Sequence, residues 1–233
     1  MKKIMKNVIV TILFLFLITS TALLAYLHFF ASGGRDLSGK WTAELDMSER
    51  AAVIAYSWLQ DIEAVSVSLE DMESRMQGLT VEVNLIMEQT DRSAGTFQCS
   101  VLPESYDACI QAAYEAFAGA FRELLAERLH MAGYTGSTDE EAIDALVMET
   151  FGRPTVSYLL FCCPNLLPPL EELQAQYGGS GTYETAEGTL IRYFDDGQMI
   201  TEPYIRTDLT LVLSDGISSN HHPVIYTLGF SDE

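Results

Sequence analysis

The C-terminal part of the chain constrains the fold most, because it consists of short segments typical of β-strands. After Gly181, apolar and polar residues alternate, and turn sequences such as Glu187-Gly188 and Asp195-Asp196-Gly197 separate the runs. The predicted strands cover residues 182–185, 189–194, 199–206, 209–213 and 224–230. Antiparallel strands joined by short turns bury one face, so this region predicts a β-meander within a barrel or a sandwich.

Three further strands are expected earlier in the chain, at residues 40–45, 79–88 and 96–101, which gives about eight in all. Between the first two, apolar residues recur at helical spacing from Ala51 to Met76, which predicts one amphipathic helix or two helices broken near Asp61. The alternation Val65-Ser66-Val67-Ser68-Leu69 leaves open a short strand instead.

Residues 103–177 are predicted to form a helical insertion. Pro103 begins a long helix with one aromatic stripe, and Gly133 ends it. A second helix has two alternative capping boxes, Ser137 with Glu140 and Thr138 with Glu141. Residues 156–167 are apolar but too few to span a bilayer, so we expect a buried core segment. The fold class is therefore α+β.

The N-terminal segment carries no charge from Asn7 to Ala31, and three lysines precede it. About 20 apolar residues can cross a bilayer, and flanking basic residues mark the cytoplasmic side. We therefore predict a cytoplasmic tip and a transmembrane signal anchor over residues 1–31, a linker over 32–38 and an extracytoplasmic domain over 39–233. The alternative is a signal peptide cleaved within residues 19–25.

Charge limits the possible partners of the domain. The chain has a net charge of −20, with 33 acidic and 13 basic residues, and three of the basic residues lie in the N-terminal tip. Such a negative field repels phosphate, so we expect no nucleic-acid partner and no contact of the domain with anionic lipid headgroups. The lipid bilayer is then a partner only through the N-terminal helix. An acidic surface that keeps an exported domain soluble is the simplest explanation.

Four cysteines allow two interpretations. Cys99 and Cys109 could form a disulfide between a strand end and a helix start, since exported proteins commonly contain disulfides. Cys162 and Cys163 are neighbours in sequence, and no Cys-x-x-Cys spacing occurs. Free buried thiols are therefore the other interpretation.

Two short motifs suggest a family resemblance. Gly39-Lys40-Trp41 at the first strand and Gly181-Thr182-Tyr183 at the C-terminal meander resemble lipocalin-like (calycin-like) domains of exported, membrane-anchored bacterial proteins. The resemblance implies an antiparallel barrel in which the first-strand tryptophan pairs with a basic residue on a late strand. Arg206 and Arg192 are the two candidates for that residue.

No familiar catalytic motif is present, including Gly-x-Ser-x-Gly, Ser-x-x-Lys, His-Glu-x-x-His and the glycine-rich phosphate-binding loops. The pair His221-His222 near Asp215 has metal-binding chemistry, but adjacent strand residues point in opposite directions. We therefore assign no catalytic residue, no metal ligand and no cofactor.

The predicted function is a binding or interaction module for a hydrophobic ligand or an envelope partner. The alternative is a cell-envelope hydrolase that uses carboxylates. If the barrel is hollow, the residues expected to line an apolar ligand site are Trp41, Leu45, Val81, Val83, Leu190 and Tyr193.

Overall fold

The eight strands form one closed antiparallel barrel, in which each strand pairs with its neighbours along the chain and the last returns to the first. The computed structural model describes residues 14, 16–21, 36–61, 67–163, 165–186, 188–214 and 223–229. The strands are β1 (Gly39–Asp46), β2 (Thr80–Asp91), β3 (Ala94–Val101), β4 (Gly179–Ala186), β5 (Thr189–Phe194), β6 (Met199–Arg206), β7 (Thr210–Leu213) and β8 (Val224–Leu228). A barrel, and not a sandwich, is thus the architecture, and it is consistent with a lipocalin-like fold.

The two ends of the barrel differ. At one end, which we call the turn end, short connections join β2 to β3, β4 to β5 and β6 to β7. At the other, the helix end, all six described helices of the domain are inserted into two connections, between β1 and β2 and between β3 and β4. They are α1 (Ser48–Asp61), α2 (Leu69–Arg75), α3 (Pro103–Met131), α4 (Glu140–Phe151), α5 (Thr155–Cys162) and α6 (Leu170–Tyr177). The helices α3 to α6 occupy the predicted insertion.

Local sequence signals explain most helix boundaries. Ser68 and Asp71 form a reciprocal capping box at the start of α2, so Leu69 is helical and not part of a strand. At α4, neither predicted capping box forms. Asp139 is the N-cap instead, and its carboxylate accepts from the Ala142 backbone N–H at 2.9 Å. A carboxylate at a helix N-terminus satisfies an unpaired donor and the helix dipole together, which favours aspartate at this position.

The apolar stretch 156–167 is only partly buried, so the prediction of a fully buried segment is wrong for α5. Leu159, Leu166 and Leu167 are buried, whereas Leu160 and Phe161 are exposed, Phe161 by 74%. The reason is helical periodicity, because a short surface helix packs one face against α3 and leaves the other in solvent.

The segment before β1 is part of the barrel. Leu37 is buried, and its carbonyl accepts from the Trp41 indole N–H at 2.9 Å. Leu37 belongs to the segment predicted as the linker, residues 32–38, and it packs into the barrel. The predicted anchor lies outside the described residues except at 14 and 16–21, which are helical. None of the described helices has the length and apolar character needed to cross a membrane.

All four cysteines are free in the structure, so of the two interpretations the Cys99–Cys109 disulfide is not formed, and free buried thiols describe Cys99 and Cys109. Cys99 points into the barrel, where its sulfur lies 4.0 Å from the Tyr226 hydroxyl oxygen. Cys109 lies on α3, outside the barrel wall, in a groove that Leu79 and Thr80 also line. The two thiols are thus on opposite sides of the wall, although both are buried.

Candidate functional site

Five of the six predicted ligand-lining residues face the barrel interior. Trp41, Val81, Val83 and Leu190 have no accessible surface, and Leu45 is 8% exposed. Within each strand these residues are separated by even numbers of positions, as inward-facing residues of one strand must be. The sequence therefore identified the inward faces of β1 and β2 correctly.

Tyr193 is the exception, and its predicted inward orientation is wrong. Its side chain is 38% exposed on the outer surface, opposite Met199 of β6, which is also exposed. Leu190 and Tyr193 are three positions apart in one strand, so they lie on opposite faces of the pleated sheet. The inward residue at this level of β5 is Arg192, which is buried.

The barrel interior is filled by side chains. A residue that bordered an empty space large enough for water would retain accessible surface, yet most interior positions retain almost none. The most completely buried interior side chains are Trp41, Val81, Val83, Leu85, Met87, Leu190 and Leu211. Barrels of eight strands are commonly just wide enough for such filling. The five inward residues therefore form a packed core, and a ligand could reach them only if the barrel opened.

At the turn end, the structure selects one of the two candidate arginines. The Arg206 guanidinium carbon lies 4.9 Å from the centre of a Trp41 ring, within cation–π range. Arg206 also lowers the pKa of Asp36, although the larger causes are hydrogen bonds from the Ser38 side chain and backbone. The tryptophan–arginine pair implied by the lipocalin-like resemblance is thus Trp41 with Arg206.

Arg192 lies toward the helix end, in a buried polar cluster. Its guanidinium contacts the Glu202 carboxylate with an N–O distance of 2.7 Å, and Glu202 is 1% exposed. The two residues are diagonal neighbours on adjacent strands, because Arg192 pairs with Ile200 in the register. Arg192 also lies 5.3 Å from the ring centre of Phe194 and 5.6 Å from that of Phe97. These contacts enclose a positive charge within an apolar barrel.

Tyr226 and Cys99 complete this cluster, and both stay uncharged. Burial is the main cause that raises the pKa of each group, and for Tyr226 the pKa lies well above its ordinary value. A cavity of about 30 Å³ adjoins the cluster below the C-terminal end of α6, and Arg192, Glu202 and Tyr226 help to line it. That volume suits about one water molecule. The Arg192 Nε–H has no hydrogen-bond partner in the described structure, and a water there is what it would require.

The alternative function, a carboxylate-based hydrolase, would require a pair of carboxyl groups. Such enzymes use two carboxyl groups on opposite sides of the bond to be cleaved. Among the described residues, Glu202 is the carboxylate that lines this cavity, and it is ion-paired with Arg192. Among the described residues, no three histidine, cysteine or acidic side chains are grouped to hold a metal ion. His221, His222 and Asp215 lie outside the described residues.

A second feature is an uncharged outer surface, which we call the β5–β8 face. It consists of the outward side chains of these four strands, and none carries a charge at neutral pH. The outward residues are Thr189, Ile191, Tyr193, Met199, Thr201, Pro203, Ile205, Thr210, Val212, Ile225 and Thr227. Ile205 pairs with Val212 and Val212 with Ile225, so three β-branched side chains adjoin across the sheet. Ile205 is 66% exposed and Ile225 56%.

The outer surface of β1 and β2 is different. Outward residues there include Lys40, Glu44, Glu82 and Glu88, and α3 packs against β2. The net charge of the chain does not show that charged residues are absent from the β5–β8 face and present on the outer surface of β1 and β2. The signal was nevertheless present in the sequence, since alternate positions of the last four strands contain only neutral residues.

Comparisons with protein-family models, with curated proteins and with solved structures found no match for this chain. The class that the structure defines is therefore a closed eight-stranded antiparallel barrel with helical insertions at one end.

Proposed function

We propose that this protein is a non-enzymatic interaction module, anchored outside the cytoplasm by its N-terminal helix, that binds a protein partner through the β5–β8 face. The observation that carries the proposal is the filled barrel interior together with this outer face, where Ile205 and Ile225 are exposed and no described helix packs. A solid core leaves the outer surface as the place for recognition. The partner we propose is an envelope protein whose own contact surface is uncharged and apolar.

Charge supports the choice of face. The chain has a net charge of −20, so most surfaces present carboxylates that must lose water when they are covered. The β5–β8 face avoids that penalty. A basic partner would prefer the acidic surfaces, whereas a neutral face selects a neutral, apolar partner. In addition, contiguous exposed apolar side chains commonly mark interaction sites.

The filled interior can be tested with a fluorescent hydrophobic probe. The folded domain, residues 36–233, is titrated with the probe after circular dichroism confirms its structure. We expect no saturable binding, because the inward residues leave no space. Saturable binding that is lost in Val83→Trp would contradict the proposal, and would support the carriage of a hydrophobic ligand inside the barrel.

The docking face can be tested in membranes that contain the full chain. Native electrophoresis should show the chain in a complex larger than a single chain. The variant Ile205→Asp should dissociate this complex, because it places a charge at the centre of the face. Ile86→Asp is the matched control, since Ile86 is an exposed outward residue of β2 that pairs with Lys40 and Gln98 and does not belong to the β5–β8 face. Mass spectrometry then distinguishes a hetero-complex from a pair of identical chains. A complex that both variants retain, or the absence of any complex, would contradict this proposal.

A further inference from the structure

Two adjacent cysteines lie at the C-terminal end of α5, on the helical insertion and away from the β5–β8 face. Cys162 is the last helical residue and is exposed. Cys163 is half-buried, and its backbone N–H donates to the Leu159 carbonyl at 2.9 Å. The two sulfur atoms are 3.6 Å apart. Both thiols therefore lie on the same side of the chain, within reach of a common reagent.

The other two cysteines are protected from reagents in solution. Cys99 and Cys109 are 4% and 5% exposed, and burial raises the pKa of both thiols, to about 11 for Cys109. Since the thiolate is the reactive form, these two groups react slowly. Cys162 is thus the thiol that an external reagent meets first.

We propose that Cys162 and Cys163 form a thiol-modification site that reacts with low-molecular-weight disulfides. In the first step, the Cys162 thiolate attacks one sulfur of the external disulfide, forms a mixed disulfide and releases one thiolate. In the second step, Cys163 loses its proton and attacks the Cys162 sulfur, which forms a Cys162–Cys163 disulfide and releases the second thiolate. The two protein thiols are oxidised by two electrons, the external disulfide is reduced to two thiols, and the protons pass to the released thiolates.

The environments of the two sulfurs set this order. Burial raises the pKa of Cys163 far above its ordinary value, with the neighbouring Cys162 as a further cause. Cys163 therefore remains protonated and cannot attack first. Once Cys162 carries a mixed disulfide, the sulfur 3.6 Å away becomes an electrophile held beside Cys163, so proximity compensates for the low thiolate fraction.

The bond between neighbouring residues should be reversible. Adjacent Cα atoms are about 3.8 Å apart, whereas disulfide-bonded residues usually have Cα atoms about 4.4 to 6.8 Å apart. A disulfide under such strain is reduced more easily than a structural one. The site therefore responds to the thiol–disulfide balance of its surroundings, and it does not act as a permanent cross-link. This chemistry does not depend on the proposed partner surface.

The test uses the full chain in detergent, reduced and then freed of reductant, with oxidised glutathione as the probe. Intact-mass measurement should show the loss of two hydrogen masses, no lasting glutathione adduct and full reversal by dithiothreitol. Peptide mapping should place the new bond between Cys162 and Cys163. Cys163→Ser should stop at one attached glutathione on Cys162, and Cys162→Ser should slow the reaction by on the order of tenfold or more.

Cys99→Ser and Cys109→Ser are the matched controls and should leave the reaction unchanged. The proposal is overturned if wild-type protein accumulates a stable glutathione adduct, forms a disulfide between two chains, or joins Cys99 to Cys109. It is also overturned if no thiol is consumed. None of these outcomes changes the expected result for the β5–β8 face, so the two proposals can fail separately.

Discussion

Each end of the barrel contains an inward arginine, but the two arginines are held in different ways. At the turn end, Arg206 lies against the Trp41 ring, close to the segment that enters β1. Toward the helix end, Arg192 is ion-paired with the buried Glu202 and lies beside two phenylalanine rings. Arg206 is half-buried against its aromatic ring, whereas a buried ion pair must compensate for the loss of water by both groups. The stability of the turn end therefore depends mainly on packing. The stability of the helix end depends on the charge balance between Arg192 and Glu202.

The largest effect is expected from Trp41→Ala at the turn end. The substitution leaves a large cavity and removes the indole hydrogen bond to Leu37, so we expect a loss of about 3 to 5 kcal/mol in the free energy of unfolding. Denaturant titration followed by circular dichroism measures this loss. Trp58→Ala is a useful comparison because Trp58 is only partly buried, against Phe117 on the helical side. An unchanged midpoint for Trp41→Ala would show that the turn end does not depend on packing.

The next effect is expected at the helix end, from Glu202→Leu. This substitution leaves Arg192 buried without its counter-charge, which typically destabilises a protein by about 3 kcal/mol or more. Replacing both residues, as Arg192→Met with Glu202→Leu, should recover most of that loss because no charge remains to be compensated. The same denaturant titration measures both variants. A double variant as unstable as the single one would show that the pair stabilises the barrel by more than charge balance.

A smaller effect is expected from Arg206→Met, which preserves the apolar stem but removes the charge above Trp41. Cation–π contacts at partly exposed positions contribute about 0.5 to 1 kcal/mol, so the loss should be of that size. Arg192→Met alone should destabilise the barrel more, because it leaves Glu202 buried without its counter-charge. If the two arginine variants lose the same stability, the distinction between the two ends is wrong.

The smallest effect concerns pH and Asp36. Hydrogen bonds from Ser38, and then Arg206, lower the pKa of this carboxyl in the folded chain. A lowered folded-state pKa gives stability that is present above the unfolded pKa of about 3.9 and is lost as the pH falls through the folded value. Asp36→Asn should therefore be slightly less stable than wild type at pH 6, and the difference should shrink below about pH 4. Denaturant midpoints between pH 6 and pH 3 measure it, and a constant difference would contradict the assignment.

Much of the barrel could be predicted from local patterns. The boundaries of β5 and β6 coincide with the predicted runs, because alternation and turn residues agree there. From the sequence, Arg192 is a candidate partner of Trp41, and its ion pair with Glu202 is not predicted, because the pairing of two residues on different strands depends on the register of β5 and β6. Their positions relative to Leu190 and Ile200 nevertheless place them inward. Tyr193 lies three positions from the inward Leu190, so the alternation of β5 places its side chain outward, opposite to the prediction.

The packing of the interior could not be read from the sequence. Inward residues of a given type can either line a cavity or fill it, and the difference depends on barrel diameter and on how side chains from opposite walls meet. The sequence also does not show that the residues of the β5–β8 face form one continuous surface. They become neighbours only when β6, β7 and β8 pair in the sheet.

Closure of the barrel by β1 and β8 has a consequence for how the chain folds. Trp41 pairs with Leu228, and the Gly229 N–H donates to the Lys40 carbonyl at 2.8 Å, so the first and last strands meet only when almost the entire sequence is available. Contacts so distant along the chain slow folding. Until synthesis of the last strand is complete, the sheet is open, with unpaired edges at β1 and at the most recently formed strand. During that interval the nascent protein is most exposed to aggregation and proteolysis, and it is then that a folding helper would be needed.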